Sequence, residues 1–284
     1  MTVAAAVVQY RDEFIASFED RTSVLRSTTT TEAVIKGLQA TFLVSGSNND
    51  TADTRGVDGL IPANQPTNSQ LTCTLQEFHR LERMTNFNIF ASQGNQRRVM
   101  QMNCMGVVNR KMDTQIIEEL DTATNDTGAA QTASLDLVVF ARTILGNNYV
   151  DLTDEDNLFA LVSPAFDGYM LQATEYASAD FVEVKPFAGP ARKFRRWGGF
   201  NWIVHPRLTN SVGAGGLGTS EQCYFYHRAS IGHAADTAGL DIDADYDREQ
   251  AYSWARVSGH MNAKLLQNSG VVQVKHNAAG YAAQ

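Results

Sequence analysis

The sequence predicts an α+β fold in which long strands surround one unusually long helix. Three observations point there. A polar stretch at 44–70, VSGSNNDTADTRGVDGLIPANQPTNSQ, separates two strand-like runs, 40–44 and 71–75, that could pair. A helical pattern runs unbroken over 93–121. Near the end, 240–246, 252–265 and 270–276 alternate apolar and polar residues with period two, as antiparallel strands do.

Taken in order, 10–25 reads as an amphipathic helix, with Phe14, Ile15, Phe18 and Leu25 on one stripe. STTTT at 27–31 ends it, because β-branched threonines favour extended backbone. A terminal helix on an extended tether suggests a docking arm more than a core element. The run 34–44 is strand-like. Over 71–90 the apolar residues Leu75, Phe78, Leu81 and Met84 recur every third position and Phe87 and Ile89 alternate, predicting strand, short helical turn, strand. In the long helix Met102, Met105, Met112, Ile116 and Leu120 form the stripe. Its 29 residues would make a rod of about 43 Å.

From Ala133 the pattern alternates helix and strand. A helix over 135–145 should end at Gly146, a common residue just past a helix C-terminus. A buried strand over 158–162 is stopped by Pro164, a helix covers 165–176, and strands cover 181–184, 199–204 and 223–227.

The 44–70 stretch is the anomaly. Connections in compact domains run to roughly 4–6 residues, and structureless ones beyond about 12–15 are usually functional or disordered. After Val44, only Val57, Leu60 and Ile61 in it are large and apolar.

Composition narrows the function. At 43% hydrophobic and 19% charged, the 284 residues can bury a core, and sparse charge suits a protein that buries surface against partners. A net charge of −8 argues against a phosphate-binding surface. The basic cluster Arg192, Lys193, Arg195 and Arg196 reads as a solvated turn before a strand. Cys73, Cys104 and Cys223 lie far apart, which predicts a reducing compartment and no disulfide framework. No signal-peptide pattern opens the chain and no 18 apolar residues run together, so a soluble cytoplasmic chain without a membrane span is expected.

Chemical motifs are weak. Residues 213–218 spell GxGxxG, but HPRLTNSV intervenes after the preceding strand and a strand follows, which is wrong for dinucleotide binding. Asp241, Asp243, Asp245 and Asp247 resemble the start of a calcium loop, yet its glycine and glutamate positions hold Tyr246 and Tyr252. Alternation makes them one solvated strand face, with Ile242, Ala244 and Tyr246 opposite. The histidines His79, His205, His227, His233, His260 and His276 form no zinc spacing, and no GxSxG elbow exists. No catalytic residue, cofactor or metal is expected.

The segments QYRDEFIASFEDRTSVLRSTTTTEAVIKG, QATFLVSG, TRGVDGLIPA, TCTLQEFHRLERMTNFNIFASQGNQRRVMQ, GVVNRKMDTQIIEELDTAT and SWARVSGHMNAKLLQNSGVV carry a resemblance that spans nearly the whole chain. The sequence resembles the major capsid (coat) proteins of tailed bacteriophages, the Hong Kong 97-like fold. That resemblance implies an N-terminal arm at 1–35, an E-loop at 36–80, a P-domain with its spine helix at 81–130 and 240–284, and an A-domain at 131–239. It implies copies joined as pentamers and hexamers in an icosahedral virion shell, assembled in the host cytoplasm with portal and scaffolding proteins, around double-stranded DNA held without sequence-specific contacts. The polar excursion would then lie across a neighbouring subunit, with Arg55 and Asp58 as charged contacts and Leu60 and Ile61 as the apolar anchor. Some family members cross-link through an E-loop lysine. Here 44–70 has none and Lys36 sits at its base, so a shell without covalent links is expected. Two alternatives stand beside this reading: a nanocompartment shell of the same fold enclosing protein cargo, and a soluble α/β hydrolase using one of the histidines.

Overall fold

The computed structural model describes residues 22–34, 37–46, 51–61, 63, 65–86, 88, 96–173, 176, 195–208, 221–236 and 239–281. In chain order these form β1 (Thr30–Val34), β2 (Gln39–Gly46), β3 (Thr67–Thr74), β4 (Gln76–Thr85), α1 (Gln96–Leu120), α2 (Leu135–Asn147), β5 (Leu158–Val162), α3 (Pro164–Met170), β6 (Arg195–Trp197), β7 (Phe200–Val204), β8 (Glu221–His227), β9 (Ile231–Asp236), β10 (Asp241–Asp247), β11 (Tyr252–Leu265) and β12 (Val271–His276). Among the described residues the strands make two five-stranded sheets and one two-stranded ribbon.

β11 is the axis of the first sheet. β4 runs antiparallel along one side of it, from Tyr252 opposite Thr85 to Met261 opposite Gln76. β10 and β9 follow one another along the other side, and β1 adds to β9 in parallel. The predicted alternation holds in β11: Ser253, Ala255, Val257, Met261 and Ala263 are buried. Several of these are small, so α1 approaches closely. A side chain at Gly259 would meet Leu240 at 2.8 Å.

In α1 the buried ridge is Met100, Cys104, Val108, Met112, Ile116 and Leu120, a strict i, i+4 row. This corrects the stripe expected near its start, where Met102 is half-buried and Met105 exposed. The described helix has 25 residues and spans roughly 37 Å. Cys104, Val108 and Met112 pack on Ala235, Val257 and Met261 of the first sheet. Ile116 and Leu120 pack instead on the second. The helix therefore ties both sheets together.

The second sheet runs β12-β8-β5-β7-β6, antiparallel except between β5 and β7. Its pleat sorts side chains onto two faces. Leu158, Ala160, Val162, Trp202, Phe225, Val272 and Val274 meet α2 and α3, while Phe159, Leu161, Ile203, Tyr224, Tyr226 and Val271 meet the end of α1. Ser163 starts α3 by accepting a hydrogen bond from the Phe166 N–H, with proline next, as helix N-termini favour.

Several expectations are corrected. The helix expected over 10–25 lies mostly outside the described residues, but Thr22 to Val24 are not helical and Leu25–Thr28 is a 3-10 turn. Leu25 and Thr28 are fully buried, so this part is core rather than a loose tether. The strand expected over 34–44 is two, broken at Gly37 with φ 125°. No helical turn separates β3 from β4; Leu75 alone interrupts them, and the spacing of three marks no single face, since Phe78 and Met84 are half-buried and Leu81 is exposed. α3 stops at Met170, and β6 and β9 were not anticipated. Arg195 and Arg196 lie in β6 rather than a turn; Arg195 stacks 3.7 Å from the Tyr176 ring centroid and Arg196 pairs with Asp156. Phe87, Ile89, the strand expected at 181–184, Arg192 and Lys193 fall outside the described residues.

α2 also runs past Gly146 to Asn147. It closes with the Tyr149 N–H on the Gly146 carbonyl and the Val150 N–H on the Leu145 carbonyl, the paired bonds of a Schellman motif. That geometry places Tyr149 at φ 60°, with its side chain 76% exposed. Left-handed backbone costs a side-chain-bearing residue about 1–2 kcal/mol. Tyr149→Gly relieves that strain, partly offset by the greater freedom of glycine in the unfolded chain. The expected net gain is about 0.5–1 kcal/mol, read as a melting temperature higher by roughly 2 °C. A lower melting temperature would mean that the tyrosine ring contributes packing.

Candidate assembly interface

β2 and β3 form a regular antiparallel ribbon, from Gln39 opposite Thr74 to Gly46 opposite Thr67. Its base is anchored: Ala40, Phe42, Cys73 and Leu75 pack with Val34 and Ala234. The anchor is close, for a side chain at Gly232 would meet the Phe42 ring at 2.8 Å. Its outer half is different. From Leu43 to Gly46 and from Thr67 to Gln70 no residue is buried, and Leu43 is 81% exposed. A two-stranded ribbon is marginal alone in water, and among the described residues nothing covers this half.

The tip at 51–61 hydrogen-bonds to itself. The Gly59 N–H donates to the Gly56 carbonyl and the Gly56 N–H to the Leu60 carbonyl, both at 2.9 Å, with Gly59 at φ 73° permitting the turn. All four expected contact residues, Arg55, Asp58, Leu60 and Ile61, are brought together on this exposed turn. Leu60 and Ile61 are 73% and 69% exposed. Among the described residues, neither Arg55 nor Asp58 has a charged partner. Val57, apolar in the same stretch but not among the expected contacts, is fully exposed on the tip, and Leu38 and Leu43, at and along the ribbon, are largely exposed. Their signal was available: large aliphatic residues in a polar stretch and on the outward positions of a strand. Lys36 lies outside the described residues.

β10 is the edge strand beside β11, and its two faces are exposed alike over Asp241 to Asp245, so the expected apolar opposite face is not buried there. Arg256 reaches Asp241 and Asp243 at 3.5 and 3.8 Å, while Asp247 accepts from the N–H groups of Glu249 and Gln250. Four aspartates on an edge discourage the addition of another strand. Among the described residues no cluster of His, Cys, Asp and Glu could hold a metal ion. The GxGxxG stretch lies outside them.

Beside the second sheet, Ser163, His276 and Glu221 form a buried serine–histidine–carboxylate cluster; Ser258, His79 and Glu77 form a more exposed one on the first sheet. Ser163 Oγ lies 3.2 Å from His276 Nε2, and Glu221 Oε2 lies 3.3 Å from the same nitrogen. A relay needs its acid on the opposite ring nitrogen; here that nitrogen faces Cys223 Sγ at 3.7 Å. All four side chains are buried, and burial pushes the Cys223 thiol up to about 12. The cluster is shaped as a polar core. The three cysteines are free and buried.

His233 on β9, in register with Thr31 of β1, is fully buried, and neither ring nitrogen has a hydrogen-bond partner among the described residues. Burial pushes it down to about 4, the Arg26 guanidinium acts in the same direction and the Asp113 carboxylate opposes. Between 6.5 and about 4 the unfolded chain binds a proton that the folded chain refuses, so stability falls as pH drops through this window and changes no further below it. The full loss is about 3 kcal/mol. Denaturant titrations at pH 7 and pH 4 should show it in the wild type, and His233→Leu should flatten it; equal pH dependence in both would contradict the assignment.

The chain is thus an α+β fold in which a long helix spans two sheets and a hairpin carries an exposed tip. A sequence model of the family described as phage capsid protein matches residues 3–278, and the chain belongs to that family. No curated protein sequence matches. Solved structures share the fold. The cyanophage Pam1 capsid is similar with a TM-score of 0.71 at 11% identity, covering 99% of this chain and 98% of that one. The capsid of the native GTA particle gives 0.70 at 13% identity, covering 96% and 95%. The capsid of Ralstonia phage GP4 gives 0.67 at 12%, covering 100% and 98%. The fold is the Hong Kong 97-like capsid fold.

Proposed function

We propose that this chain is the major capsid protein of a tailed phage, and that its copies assemble as pentamers and hexamers into an icosahedral head around double-stranded DNA. In this reading 1–35 is the N-terminal arm, 36–80 the E-loop, 81–130 with 240–284 the P-domain, and 131–239 the A-domain. The observation that carries it is the ribbon: a regular hairpin, anchored at its base, whose outer half and tip find no cover among the described residues. A neighbouring copy supplies that cover, with Leu60 and Ile61 as the apolar anchor and Arg55 and Asp58 as charged contacts. The subunit itself has no catalytic role. The net charge of −8 suits a lumen that holds DNA without gripping it. Portal and scaffolding proteins complete the assembly, in the host cytoplasm.

The test is the content of particles recovered from the native source. Closed particles that protect double-stranded DNA from nuclease are expected. Particles filled with folded protein and devoid of nucleic acid would overturn the reading in favour of a cargo shell. A discrete small species would overturn assembly itself.

A further inference from the structure

Asp113 lies in the C-terminal half of α1, where the helix passes from one sheet to the other, and is 1% exposed. A carboxylate so placed must be fully hydrogen-bonded or neutral. Four donors converge on it. Ser23 Oγ donates at 2.5 Å and the N–H groups of Val24 and Leu25 at 3.3 Å each. The fourth is His205 Nε2 at 3.3 Å. His205 Nδ1 accepts from the Arg207 N–H, so its hydrogen sits on Nε2 and the neutral ring donates to an ionised carboxylate.

Three of the four donors belong to residues 23–25, directly ahead of the segment that becomes β1. That strand pairs with β9 through its backbone, but of its five side chains only Val34 is buried. The side-chain attachment is concentrated at its start. Leu25 plugs the core beside Ile116, Leu120 and Tyr226, and Thr28 Oγ1 meets Tyr226 Oη at 2.6 Å. Beyond that point Arg228 Nε reaches the Thr29 carbonyl.

We propose that Asp113 is a latch that fastens the segment 23–34 to its own subunit and makes that docking a condition of the junction between α1 and the second sheet. With the segment in place the carboxylate is satisfied. If the segment departs, His205 alone remains, and a buried charge with one donor strains the point where α1 meets the end of β7. Docking and junction therefore share one polar node, and the segment is released from its start rather than peeled from its far end.

The test is hydrogen exchange on the full chain, combined with tryptic cleavage after Arg26, which is exposed but held in the 3-10 turn. Asp113→Asn keeps the shape and removes the charge. It should speed exchange of the amides of Thr30–Val34 at least tenfold and hasten cleavage at Arg26. Amides of the α1 ridge facing the first sheet, from Cys104 to Val108, should stay protected. Ser23→Ala removes one donor at a half-buried position and also the acceptor of the Arg26 N–H, so it is read by exchange of 30–34 alone, where a smaller effect, about threefold, is expected. Unchanged exchange of 30–34 in a folded Asp113→Asn protein would overturn the latch. So would equal acceleration everywhere, which marks general destabilisation. If Asp113→Asn does not fold, Ser23→Ala decides alone: no local change refutes the proposal.

Discussion

Met112→Asp is expected to yield no soluble folded subunit. Met112 is 4% exposed and fills the seam between α1 and the first sheet with Cys104, Val108, Val257 and Met261. Its immediate neighbour Asp113 is a buried carboxylate with four donors; a carboxylate at 112 would face sulfur and aliphatic carbon. Breaking a buried polar balance in this way costs several kcal/mol, against a total stability of about 5–15 kcal/mol. Met112→Leu, near in volume, should cost less than about 1.5 kcal/mol. Soluble yield and thermal melting by circular dichroism measure both. Wild-type behaviour of Met112→Asp would show that the seam is not packed as described.

Shortening the hairpin should have an equally large effect on a different property. Gly46 pairs with Thr67, so replacing 47–66 by Asn-Gly closes β2 and β3 with a two-residue turn suited to their twist. The residues removed bury nothing in the described part of the tip, and a shorter loop lowers the closure entropy. The subunit should therefore fold as well as the wild type, or slightly better. Shells should not form. Each seam contributes about 1–2 kcal/mol per contact, and the loss recurs at every copy in a closed assembly. Circular dichroism reports the fold and sedimentation the assembly. Intact shells from the shortened chain would refute a role for the loop between subunits.

What the sequence made legible follows from pattern length. The bounds of β11 are legible because it is the longest strand and most of its fourteen positions alternate. The pairing of β2 with β3 was readable because both are flanked by one unambiguous loop. β9, Ile-Gly-His-Ala-Ala-Asp, was missed because it is buried on both faces by small residues, so neither size nor alternation marks it. The early α1 ridge was misplaced because methionines were weighted over Cys104 and Val108. At Tyr149 the turn geometry falls on a residue that no rule favours. The tip residues Arg55, Asp58, Leu60 and Ile61 were visible because large or charged side chains stand out in a polar stretch. The node at Asp113 was not, since its donors come from residues about ninety positions away along the chain in either direction.

The most direct measurement is an electron cryomicroscopy map of the assembled particle, resolved well enough to follow the ribbon from Gly46 to its tip. The account predicts a closed shell in which 51–61 lies on the adjacent copy, with Leu60 and Ile61 covered by that copy and Arg55 and Asp58 beside groups of opposite charge. A closed shell whose tips fold back on their own subunits, or project into solvent untouched, would contradict it.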